Sequence, residues 1–123
     1  MKESDRDLFL HDWVIDEIHS KYSREFNEIR VNKGSSKEHQ LEGQYPDIIF
    51  GNHGQVVMIG EVEVESTLNE SSIKRWKDLQ SIGYQLIIFV PKSRLKFARD
   101  FFWDNKLIEK IKISSFSVEI PIT

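Results

Sequence analysis

The stretch YPDIIFGNHGQVVMIGEVEVE, residues 45–65, decides the fold. Proline lacks the N–H that a sheet interior needs, so Pro46 marks the start of a strand running to Phe50. Gly51-Asn52-His53-Gly54 has turn composition and reads as a hairpin turn. Gln55 to Glu65 is then a long returning strand. Its first half is continuously apolar, as in a strand buried on both faces. Its second half alternates, with Glu61, Glu63 and Glu65 on one face and Val62 and Val64 on the other.

Working outward, residues 67–82 read as a helix that buries Leu68, Ile73, Trp76, Leu79 and Ile82, with Gly83 at its stop. Tyr84 to Val90 is a fourth strand, ended by Pro91. Residues 92–106 form a helix with Leu95, Ala98, Phe101 and Phe102 inward. The tail, residues 110–121, carries Ile111, Ile113, Phe116, Val118 and Ile120 and reads as one or two edge strands. Upstream, residues 4–21 are helical, with Leu10, Trp13, Val14, Glu17 and Lys21 on one face and Phe9 and Ile18 beside them. Residues 25–31 suggest a first strand, and the polar residues 32–44 a long surface loop. The order is α-β-β-β-α-β-α-β. A helix between the third and fourth strands implies a parallel crossover. With the antiparallel hairpin, this gives an α/β fold with a mixed sheet flanked by helices.

A chain of 123 residues fits a single domain spanning 1–123. No apolar run reaches the roughly 18 residues of a membrane span. The opening MKESDRDLF lacks the pattern of a signal peptide. These features, with no cysteine, suit a cytoplasmic protein without a membrane partner. The lack of cysteine also excludes disulfides and thiolate metal sites. The net charge of -3 argues against nucleic-acid binding driven by overall charge, and leaves room for a local basic patch. No phosphate-binding glycine loop and no Ser-His-Asp signature appears. His11, His19, His39 and His53 have no metal-ligand spacing.

Chemistry concentrates in Pro46-Asp47 and, fourteen residues after Asp47, Glu61-Val62-Glu63. Carboxylates two apart on a strand share a face, with Cβ atoms roughly 6.5–7 Å apart. A third acid from the neighbouring strand would complete an oxygen-rich site for a hard cation such as Mg²⁺. Pairing Phe50 with Gln55 would put Asp47 opposite Met58, on the wrong face from Glu61. A bulge or an odd-length turn corrects this, so an irregularity is expected at Gly60 or in the turn, and a clean two-residue hairpin would argue against the site. The plain alternative for the three glutamates is a solvated strand face, against which three like charges in a row argue. Glu63 and Glu65 compete with Glu61 and Glu63 as the functional pair.

This layout resembles the PD-(D/E)XK phosphodiesterases, which include restriction enzymes, Holliday junction resolvases and repair nucleases. The resemblance covers residues 8–91. It implies a restriction-endonuclease-like core in which Asp47 and Glu61 bind Mg²⁺ or Mn²⁺. The family usually has lysine where this chain has Glu63. Some members carry glutamate there and stay active, which makes Glu63 a further ligand or an orienter of water. Others move the lysine to the next helix, where Lys74 and Lys77 stand. Loss of chemistry is the third outcome. An acid on the first helix recurs in the family, and Glu17 matches it, with simple pairing to Lys21 as the alternative. The implied activity is a metal-dependent nuclease acting on nucleic acid, expected to be DNA. Lys33 and Lys37 would touch its backbone; His39 in the same loop reads first as a solvated loop histidine, with substrate contact as the alternative. The competing reading is a non-catalytic nucleic-acid-binding or assembly module on the same fold. The tail strands offer an edge through which two copies could pair.

Overall fold

The computed structural model describes residues 2–107 and 111–118. The elements are α1 (Lys2–Tyr22), β1 (Glu28–Val31), β2 (Ile48–Asn52), β3 (Gln55–Val62), α2 (Ile73–Ser81), β4 (Gln85–Pro91), α3 (Leu95–Asp104) and β5 (Ile111–Phe116). Short 3-10 turns at Glu70–Ser72 and Lys92–Arg94 lead into α2 and α3. The strands form one sheet in the order β1-β2-β3-β4-β5. The first three are antiparallel, and β4 and β5 run parallel to β3. The fold is α/β with a mixed sheet, as the sequence suggests. No helix among the described residues is long and apolar enough to cross a membrane.

Alternation along β4 divides the core in two. Leu86, Ile88 and Val90 pack with Trp76 and Leu79 of α2 and with Ala98 and Phe102 of α3. Ile87 and Phe89 pack on the other side with Val14, Ile15 and Ile18 of α1. Trp76 meets Phe102 edge-on at 4.7 Å between ring centroids, and Tyr22 meets Phe50 at 5.4 Å. β4 is buried on both faces, which is why YQLIIFV shows no polar alternation.

Several boundaries differ from expectation. The buried stripe of α1 runs through Val14, Ile15 and Ile18, while Phe9 and Trp13 are exposed. The apolar period is helical, but the inward face is rotated by about one residue. Phe26 N–H bonds back to Tyr22 O, so the chain is still turning at 25–27 and β1 begins only at Glu28. α2 begins at Ile73, because Thr67 and Asn69 hydrogen-bond to nearby backbone and hold residues 67–69 in turns. β3 ends at Val62. Ile120 of the predicted tail lies outside the described residues.

The hairpin sets up everything that follows. Asn52 pairs with Gln55 around a two-residue turn of His53 and Gly54. Both have positive φ, 53° and 79°, which is the type I′ geometry that matches strand twist. Gly51 and Asn52 therefore belong to β2 rather than to the turn. Kept throughout, this register would set Asp47 against Gly60, leaving Asp47 and Glu61 on opposite faces. It is not kept: Gly51 pairs with Val56, but Phe50 pairs with Met58. Val57 is the extra residue of a bulge. Beyond it Ile48 pairs with Gly60, which brings Asp47 level with Glu61. The turn is thus the clean two-residue hairpin that would argue against a shared face, and the irregularity that restores that face falls at Val57, not at Gly60 or in the turn. Gly60 is regularly paired, and its lack of a side chain has a packing cause. A Cβ there would come within 3.1 Å of the Phe50 ring.

Candidate acidic site

Asp47 and Glu61 close the end of the β2–β3 ladder with their side chains. Asp47 N–H donates to Glu61 Oε2 at 2.7 Å, and Val62 N–H donates to Asp47 Oδ2 at 2.9 Å. Each carboxylate thus satisfies a backbone donor on the other strand, and this reciprocity fixes both side chains. Glu63 continues the line past β3, where its N–H bonds to Phe89 O. The three acids are 6%, 2% and 4% exposed. Glu65 points elsewhere, is 60% exposed and lies near Arg94. The buried pair is therefore Glu61 and Glu63, not Glu63 and Glu65.

Two helices bring partners. From α2, Arg75 Nε donates to Glu61 Oε1 at 2.6 Å and its terminal nitrogen to Glu61 Oε2 at 3.0 Å. The same nitrogen reaches Tyr45 O at 2.9 Å. The buried Trp76 donates Nε1–H to Glu63 Oε2 at 2.7 Å. From α1, His11 bridges two carboxylates: Nε2 meets Asp47 Oδ2 at 3.0 Å and Nδ1 meets Asp12 Oδ1 at 2.9 Å. Asp12 in turn accepts from Gly34 N–H, tying α1 to the 32–44 loop. Asn32, 2% exposed, organises that loop. Its amide donates to His39 O and Pro46 O and accepts from the N–H groups of Glu38 and His39.

These elements enclose a cleft of about 270 Å³, with Asp47, Glu61 and Glu63 at its floor and Arg75, His11 and Lys37 among its walls. Its electrostatics follow from burial. Loss of water pushes Glu61 up to about 8, reinforced by the Asp47 charge and opposed by Arg75. Both Glu61 oxygens nonetheless accept hydrogen bonds, which is how an ionised carboxylate behaves, so the guanidinium holds the charge that burial opposes. Burial likewise raises Glu63 to about 7, against the pull of Trp76 and Thr67. For His11, burial works to lower the pKa, but hydrogen bonds and charge from Asp47 and then Asp12 outweigh it. They raise it to about 9, so the ring is an imidazolium at neutral pH.

The predicted residues separate into two groups. Asp47, Glu61 and Glu63 come together. Lys74 does not join them: it is paired with Asp78 one turn along α2, with its side chain 86% exposed. Lys77 is exposed as well. Glu17 lines a different hollow, between α1 and β5. Lys33 is paired with Asp16 of α1, and His39 meets the site's scaffold through its backbone. Arg75, His11 and Asn32 are the site residues that sequence reading missed. Arg75 sits four residues before the buried Leu79 and beside Trp76, at the border of the inward stripe. His11 lies four before Ile15 on the stripe of α1.

The donor chemistry, three desolvated carboxylates in one cleft, suits a hard divalent cation. The Arg75 guanidinium is already a cation standing on Glu61. In this arrangement no group of three or more His, Asp or Glu side chains among the described residues is poised to hold a metal. No family model, no curated protein and no solved structure matches the chain.

Proposed function

We propose that this protein is a divalent-metal-dependent nucleic-acid phosphodiesterase, acting on DNA, on a restriction-endonuclease-like PD-(D/E)XK core. The observation that carries the reading is the Val57 bulge. It aligns Asp47 with Glu61 and so gathers three buried acids in one concave site. Buried carboxylates with raised pKa values in a cleft are a mark of functional sites. The element order of the fold supports the same reading.

Asp47, Glu61 and Glu63 would hold Mg²⁺ or Mn²⁺. Such an ion supplies Lewis-acid polarisation of a phosphoryl oxygen and a stronger nucleophile from water. The chain's own residues do the positioning. His11 fixes Asp47 through Nε2, and Trp76 fixes Glu63 through its indole N–H. Lys37, at the cleft wall with its ammonium over the Tyr45 ring, would supply a contact to a phosphate backbone. Glu63, in the place of the usual lysine, acts as a ligand or orients water.

A second reading has one specific support: Arg75 already neutralises Glu61, as it would in a nucleic-acid-binding or assembly module that has lost chemistry. Incubation with single-stranded, double-stranded and branched DNA in Mn²⁺ separates the two. The nuclease reading expects cleavage of at least one substrate by the wild type and none by Asp47→Ala. DNA retention in a gel shift with no cleavage of any substrate would replace it with the second reading.

A further inference from the structure

The cleft floor carries three acids, and a phosphodiester approaching it meets like charge. Among the described residues of α2, Lys74 and Lys77 point away, and Arg75 is the cation turned into the cleft. Its three hydrogen bonds all go to oxygen acceptors, two on Glu61 and one on Tyr45. The side chain is 44% exposed although its carboxylate partner is 2% exposed. The pair is thus lopsided: a fixed, desolvated anion at the floor and a half-solvated cation at the mouth.

We propose that Arg75 is a displaceable counter-ion. It neutralises Glu61 in the arrangement described and transfers to a substrate phosphate when the acids take up a divalent cation. This rests on the function proposed above and assigns a residue to the role left open by Glu63. Three physical points carry it. The planar fork that grips two carboxylate oxygens fits two phosphate oxygens equally well, so Arg75 exchanges like for like. Glu61 is 2% exposed and has little water to offset its charge, so that carboxylate gains from a closer and more highly charged partner. The arginine side chain is 44% exposed, so it can turn toward a ligand in the cleft without first being freed from a packed interior. His11 cannot take this role, since both ring nitrogens are held by Asp12 and Asp47.

The test is nuclear magnetic resonance of the arginine Nε–H groups in the full chain, with the Arg75 signal assigned by its loss in Arg75→Lys. Mg²⁺ is added first, then a nuclease-resistant phosphorothioate oligonucleotide. The expected result is a shift of the Arg75 Nε–H signal with Mg²⁺ and a second shift with the oligonucleotide. Backbone signals of Asp47 and Glu61 report Mg²⁺ binding independently. If those move with Mg²⁺ while the Arg75 signal stays in place, Arg75 is a fixed structural partner and the proposal is overturned alone. If neither moves, the metal site itself fails and the proposal falls with it. Arg75→Lys adds a second readout, because lysine keeps the charge and loses the fork. Mg²⁺ affinity should stay within about threefold, while oligonucleotide affinity drops about tenfold. Equal oligonucleotide affinity in the two proteins would contradict the transfer.

Discussion

The groove between α1 and β5 encloses about 310 Å³, with Trp13, Tyr22 and Phe116 among its walls and Glu17 and Lys21 exposed at its rim. The acidic cleft is slightly smaller, about 270 Å³, but its three carboxylates are buried and tied by backbone, arginine and indole donors. Volume does not distinguish the two; desolvated charge does. Taking a carboxylate out of water costs several kcal/mol unless a cation and hydrogen bonds offset it. The groove leaves its acid in solvent and bears no such cost. The cleft bears it three times over, and the arrangement makes sense where a cation is to be gathered.

The largest contrast should appear in activity. Asp47→Ala should lower Mn²⁺-dependent DNA cleavage by at least about a hundredfold, because it removes a ligand and the acceptor that Val62 N–H and His11 Nε2 share. Glu17→Ala should leave the rate within about twofold, as expected of a surface acid remote from the cleft. A large loss in Glu17→Ala would restore the acid of the first helix to the site. Stability should show a smaller contrast. Arg75→Ala leaves Glu61 buried without its counter-ion and should cost about 2 kcal/mol in urea unfolding, less than a fully buried pair because the guanidinium is half-solvated. Lys21→Ala in the groove should stay within about 0.5 kcal/mol.

A further contrast lies in pH dependence. Glu63 and His11 both hold their protons more tightly in the folded chain, at about 7 and 9 against ordinary values of 4.5 and 6.5. The stability each contributes is fully present below its ordinary value and is lost as pH rises through the folded value. The urea midpoint should therefore fall between pH 5 and pH 9. Glu63→Gln should flatten the part that ends near pH 7, and Glu17→Gln should leave the slope as it is. A wild-type midpoint that rises across this window would contradict the burial of the acids.

Much of the fold was legible because the strands carry strong local signals. Pro91 ends β4, Pro46 stands two residues ahead of β2, and YQLIIFV could only be buried on both faces. The acids at 47, 61 and 63 were legible as residue types at strand spacing. Their common face was not, because it depends on one extra residue at Val57. An apolar run such as VVMI offers no mark of where a bulge falls. Arg75 was hidden between two more obvious cations, although its distance from Leu79 put it near the inward stripe. The rotation of α1 was misread because Phe9 and Trp13 look like core residues and are exposed. Hydrophobicity gives the period of a helix more reliably than its phase.

Mn²⁺ titration by calorimetry, on the wild type and on Asp47→Ala at pH 8, tests the central claim most directly. The account predicts saturable binding in the wild type that is lost, or weakened at least about tenfold, when Asp47 is removed. Equal binding by the two proteins, or none by the wild type, would contradict it.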